Sequence, residues 1–137
     1  MKKLWIGIIA VLMIVSVVGY SQDIHWANQV TIEWDIVTTM TNGDPIPAGD
    51  VITYRVWQRL NGVEDEIAEV SITEYTFTFI HEGIYTAGVQ TVRYPENGDP
   101  PLISGINWSD VNGVMTPNPF FLGYYLAAPA PENLRIQ

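Results

Sequence analysis

Chemistry at neutral pH needs a nucleophile, a base or a metal ligand, and this chain offers few. It has no cysteine and two histidines, His25 and His81. Without cysteine there is no thiolate nucleophile, no thiolate metal site and no disulfide framework. A serine or threonine nucleophile needs an oriented base beside it. His25 stands in the first residues after an apolar leader, His81 stands in the turn-like His81-Glu82-Gly83, and no Gly-x-Ser-x-Gly elbow occurs. The acids fall at turns and edges, not as two carboxylates facing across a cleft as glycoside hydrolysis requires. There is no phosphate loop or dinucleotide glycine pattern, and the acids lack the spacing of a calcium loop. The expectation is a non-enzymatic protein with no catalytic residue, no cofactor and no metal site.

The residue types that stand out suit recognition. If Ile52, Tyr54 and Val56 face a core, then Arg55, Trp57 and Arg59 face outward, because side chains alternate along a strand. Tryptophan and arginine dominate binding hot spots, and Tyr94 and Trp108 extend the patch. Two readings stay open. The five residues form a recognition surface for a protein or carbohydrate partner, or the arginines stack on the tryptophans as a cation–π brace that Arg93 extends. The chain carries 15 acids against 6 Lys+Arg, a formal net charge of −9. That balance argues against nucleic acid, which needs clustered cations.

The elements that must hold these residues follow from hydropathy. Met1-Lys2-Lys3 precedes an uncharged run from Leu4 to Val18, then Gly19-Tyr20-Ser21 before Gln22. A short basic start, an apolar run and small residues at a boundary mark residues 1–21 as a signal peptide. An uncleaved membrane anchor, facing the rest of the chain outward, is the alternative. The expected location is therefore secreted, extracellular or periplasmic. Past residue 21 the chain has four arginines, no lysine and 15 acids, a formal net charge of −11. Such a surface repels itself and stays soluble.

From Val30 onward the pattern is period two. Val30, Ile32 and Trp34 alternate with polar residues, as do Tyr75, Phe77 and Phe79, and Tyr85, Ala87 and Val89. Four Asn-Gly pairs, at Asn42, Asn61, Asn97 and Asn112, signal hairpin turns. The clearest unit is a hairpin of Val51–Leu60 and Val63–Val70 about Asn61-Gly62. Its return strand carries Glu64, Asp65, Glu66 and Glu69, a guard against edge-to-edge pairing. Tyr94–Asn118 reads as a long proline-rich loop with one short strand within Leu102–Trp108, and Phe120–Leu126 as the closing strand. Asn107-Trp108-Ser109 also fits the N-glycosylation triplet.

This order resembles a fibronectin type III domain, a relative of the immunoglobulin sandwich. Val30–Asp35 resembles its second strand with the core tryptophan at Trp34, and Ile52–Trp57 its third. Tyr75–Phe79 and Glu82–Tyr85 resemble the fifth strand and the corner into the sixth, with Tyr85 as the corner tyrosine. Trp108-Ser109 resembles the Trp-Ser before the last strand. The resemblance covers about residues 30–127 and implies an all-β sandwich of about seven antiparallel strands, preceded by an N-terminal hydrophobic helix. The sandwich is expected over 22–127 and a proline-rich tail over 128–137.

Two departures from that pattern bear on function. Only Gln22–Asn28 precedes the Trp34 strand, leaving at most a stub of a first strand at Ile24 and Trp26. The tail, Pro129 to Gln137, resembles the missing first strand placed at the other end. It is a flexible tail, a strand folded back on its own domain, or an assembly strand using Leu134 and Ile136 on a neighbour's open edge. The expected function is an exported recognition or adhesion module that binds a surface, a glycan or a protein. A structural subunit of a filament, surface layer or virion is the alternative, and an accessory to a separate secreted enzyme is the third.

Overall fold

The computed structural model describes residues 23–126, 132–133 and 135–137. Residues 1–21, with the expected signal helix, lie outside the described residues, as does Leu134. The rest is all-β. The strands are β1 (Asp23–Trp26), β2 (Gln29–Glu33), β3 (Val51–Leu60), β4 (Val63–Val70), β5 (Glu74–Thr78), β6 (Gly83–Tyr94), β7 (Leu102–Ile103), β8 (Asn107–Trp108) and β9 (Phe120–Tyr124). One sheet runs β1-β9-β6-β3-β4, with β7 and β8 also on β6, and β2 pairs with β5 in a second sheet.

The two sheets face each other across one core. Val56, Tyr85, Ala87 and Leu122 meet Phe77 and Phe79, with Val30, Ile32, Trp34 and Leu60 packed around them. Burying a side chain such as Phe77 contributes roughly 2–3 kcal/mol. Its ring lies edge-on to Tyr75 at 5.2 Å and stacks on Phe79 at 6.1 Å. The buried Tyr85 hydroxyl donates to the His81 carbonyl at 2.5 Å, tying the turn to the start of β6 as a corner tyrosine does.

The β3–β4 hairpin forms over the expected residues, with Asn61 at φ 52° and Gly62 at φ 77°. Both residues adopt positive φ, as a type I′ turn demands. The other three Asn-Gly pairs make no such turn, since Asn42, Asn97 and Asn112 keep negative φ. A bulge then sets the parity of β4. Val56 pairs with Ala68 and Trp57 with Glu66, leaving Ile67 unmatched. Ile67 and Ala68 both pack on the core, while Glu64 and Glu66 emerge beside Arg59 and Arg55.

Three expectations need correction. The strands are not all antiparallel: the short first strand expected at Ile24 and Trp26 forms as β1, but it pairs parallel with β9, Asp23 with Phe120 through Trp26 with Gly123. Among the described residues the second sheet is left with two strands. The Tyr94–Asn118 stretch is no free loop, because β7 and β8 lie in succession along β6, split at Gly105 where one strand was expected.

The edge of β6 explains that segment. Along twelve residues it meets β3 on one side and β9, β8 and β7 in turn on the other. Each break in the second ladder leaves an amide without a strand partner. Ser109 Oγ accepts from Ala87 N at 3.1 Å and donates to the Phe120 carbonyl at 2.9 Å. Ser104 Oγ accepts from Thr91 N at 2.9 Å. Two serines thus close the gaps, and Ser109 is itself buried. Ser109→Ala removes both Oγ bonds without adding volume, so stability should fall by about 2 kcal/mol in urea unfolding. Ser104→Ala, at an exposed gap that water can fill, should cost less than about 1 kcal/mol.

Candidate binding site

The outer face of the large sheet gathers all five residues expected to bind. Cross-strand pairing places Arg55 opposite Gln90, Trp57 opposite Gly88 and Arg59 opposite Thr86. Trp108 pairs with Gly88 from the other side, and its ring covers that glycine. A Cβ on Gly88 would stand 2.7 Å from both Trp108 Cε3 and Ile106 Cγ2. The missing side chain is what lets the indole lie flat on the sheet.

Most charged and polar side chains on this face meet one another, although Arg55 Nε and Asp110 Oδ1 make no hydrogen bond of their own. The Arg59 guanidinium sits 4.5 Å from the Trp108 ring centroid and 2.8 Å from Asp110 Oδ2. Trp57 Nε1 donates to Gln90 Oε1 at 3.2 Å. Arg55 Nε lies 3.2 Å from Glu66 and 3.5 Å from Glu69. The Tyr94 and Thr53 hydroxyls both donate to Glu69 Oε1 at 2.6 Å. These two hydrogen bonds hold the Glu69 carboxyl below its usual range, and the same contact with Glu69 raises the Tyr94 phenol. Arg93 does not extend the stack. It donates to Asp50 Oδ2 at 2.5 Å, while Asp50 Oδ1 accepts from Glu96 N at 3.0 Å. The Glu96 amide and the Arg93 guanidinium depress the Asp50 carboxyl.

The Asn107 side chain, in the Asn107-Trp108-Ser109 triplet, is bonded within the chain. Its Nδ2 donates to the Met115 carbonyl at 3.2 Å and its Oδ1 accepts from Thr116 at 2.8 Å. His25 lies on β1 and His81 before β6, and both are exposed. Among the described residues no three His, Asp or Glu side chains are grouped to hold a metal ion.

Hydropathy reasoning missed a groove on the opposite face. The chain between β2 and β3 crosses the far half of the inner face and folds on itself through a bridge between Thr39 and Pro45. Val37 N donates to the Tyr54 hydroxyl at 3.0 Å, holding the crossing against β3. Between this crossing and the 102–116 segment lie two adjoining cavities of about 640 and 700 Å³. They share Val37, Thr39, Ser104, Gly105, Asn107 and Met115, so they form one groove. Its floor is Ile52, Tyr54, Val89 and Thr91, and its lips carry Ile36, Ile103, Val114 and Met115. Ile36 is 71% exposed, Met115 80% and Val114 99%. These exposed apolar side chains gather along the rim of the groove.

No family model, curated protein or solved structure matches this chain. The candidate site therefore rests on its own geometry: a self-paired outer face and an open apolar groove.

The outer face and the Asp50–Arg93 pair each make a prediction. Trp57→Ala and Trp108→Ala should each cost on the order of 2 kcal/mol in urea unfolding, well above the roughly 0.5 kcal/mol of an ordinary surface change. The depressed Asp50 and Glu69 carboxyls stabilise the fold fully above the usual carboxylate range. That contribution should vanish as pH falls from about 5 through their lowered values. Asp50→Asn should flatten the fall, which thermal midpoints across a pH series would measure.

Proposed function

We propose that this chain is an exported, non-enzymatic recognition module, a fibronectin type III-like sandwich that binds a protein partner through its groove. The observation that carries the reading is the contrast between the two faces. On the outer face the Arg55 and Arg59 guanidinium groups, the Tyr94 phenol and the Trp57 indole N–H are engaged internally, and Arg59 covers the Trp108 ring, so this face serves as a brace. The groove has an apolar rim and mixed walls, in which Ile32, Trp34 and Val37 stand among Glu33, Thr39, Ser104 and Asn107, and no segment covers it among the described residues.

The shape favours an extended segment over a compact small molecule. The groove runs between two stretches of irregular or short-strand backbone, and Ile32–Thr39 lines one wall continuously. That wall also carries Glu33 and Asp35. A partner with aliphatic residues beside Lys or Arg matches both features. The fibronectin type III reading draws support from the core Trp34, the Tyr85 corner bond and the position of Trp108-Ser109 ahead of the closing strand β9.

An immobilised peptide array and a glycan array distinguish the two faces. Peptides with aliphatic and basic residues should bind the wild-type chain. Met115→Asp and Ile36→Asp should weaken that binding at least tenfold with the thermal midpoint within a few degrees of wild type, because both side chains are exposed. Glycan binding lost in Trp57→Ala and kept in Met115→Asp would move the site to the outer face instead.

A further inference from the structure

One wall of the groove starts at an unpaired strand edge: Ile32 and Glu33 of β2 line it, and Trp34–Thr39 continue it outside the strand. β2 pairs with β5 on one side, and among the described residues no strand pairs with its other side. Beyond that edge the groove opens toward Asn107, Thr116 and Phe120. The edge also carries an electrostatic conflict. Glu33 and Glu74 stand directly opposite each other in the β2–β5 ladder, and Asp35 follows two residues on. Like charges facing across a ladder are destabilising. No arginine pairs with any of these three among the described residues: Arg55, Arg59 and Arg93 bind Glu64, Glu66, Glu69, Asp50 and Asp110.

The remaining arginine of that part of the chain is Arg135. It makes no ion pair among the described residues, and Arg135–Gln137 belong to no strand. Ile136 is 98% exposed. In sequence Arg135 stands between Leu134 and Ile136, so an extended segment there puts two aliphatic side chains on one face and the cation on the other. Added beside β2, it would set the aliphatic pair toward Ile32 and Trp34 and Arg135 toward Glu33 and Glu74. A one-residue slip would bury the cation and expose the aliphatics, so the pattern itself specifies the register.

We infer that the groove takes the C-terminal segment Glu132–Gln137 of a second copy of this chain, an inference that rests on the groove being the binding site. Chain direction favours a second copy over the chain's own tail. The Leu126 amide is held by Glu82, and Ala27 N donates to the Gly123 carbonyl at 3.1 Å, so the chain leaves β9 at the pole where β2 begins. A short return from that pole runs parallel to β2. A segment from another molecule can run antiparallel, the slightly more stable pairing per residue. Such a contact joins unlike surfaces of two copies and propagates head to tail.

Sedimentation velocity of the exported chain over a concentration series, with a fluorescent peptide of sequence Pro131–Gln137 as a separate probe, tests this. The wild-type chain should assemble as concentration rises, and Arg135→Glu and Ile136→Asp should each hold it monomeric. The peptide should bind Ile136→Asp protein, and its Arg135→Glu version should bind at least tenfold more weakly. Glu33→Lys in the receiving chain should restore the Arg135→Glu peptide, a rescue that a merely misfolded variant would not show. Assembly unchanged in both tail variants would overturn the inference. So would a monomer at all concentrations whose groove takes the peptide in Ile136→Asp protein alone, since the tail would then occupy its own groove. If the peptide fails while array peptides still bind and Met115→Asp abolishes them, the groove stands and the second-copy partner falls. If both probes fail, the groove reading falls with it.

Discussion

A twelve-residue strand at the centre of a small sheet exposes two long rows of backbone donors and acceptors, and every one must find a partner. β6 meets that demand on one side with β3 alone. On the other side it uses three short strands and two serine hydroxyls. The residues from Pro95 to Pro119 follow from this need. They run back along β6, leave the ladder at Gly105 and again after Trp108, and return at Phe120. Ser104 and Ser109 accept from the two amides that the breaks would orphan. An unmade hydrogen bond inside a protein costs more than a made one contributes, which is why small side chains at two gaps can govern a segment this long.

The same path produces the contrast between the faces. Because β8 pairs with β6 at Gly88, the Trp108 ring is delivered to the outer surface, where Arg59 stacks on it. The bulge at Ile67 turns Glu64 and Glu66 to that surface as well. The strongly acidic chain thereby neutralises Arg55 and Arg59 locally, and most of its acids form no ion pair among the described residues. The inner face differs. β1 attaches to β9, the second sheet keeps two strands, and the crossing from Trp34 to Asp50 covers the rest incompletely. The groove is what two strands leave uncovered beneath a sheet built for more.

Much of this was legible in residue order. The hairpin at Asn61-Gly62 needed no tertiary information, because Asn and Gly alone satisfy the turn's positive φ at low cost. The inward set of Tyr54, Val56, Phe77, Tyr85 and Ala87 followed from period two. The outward set of Arg55, Trp57 and Arg59 followed from the same rule, and the five candidate residues do share a face. Their pairing with acids was less legible, since a bulge inverts the parity of β4 and no local signal at Ile67 announces it. The other Asn-Gly pairs misled because a dipeptide specifies a permitted conformation, not the strands that would close a hairpin around it.

The sequence by itself determined the strands, the polarity of their faces and the scarcity of groups for covalent chemistry. Those properties depend on neighbours one to four residues apart. Only the tertiary structure decided where β1 goes, which amides Ser104 and Ser109 serve, that Arg93 meets Asp50 and that a groove opens beside β2. Each of these joins residues tens of positions apart in the chain. The pairing that wins there is set by the competition of all edges for partners, a quantity no local pattern carries.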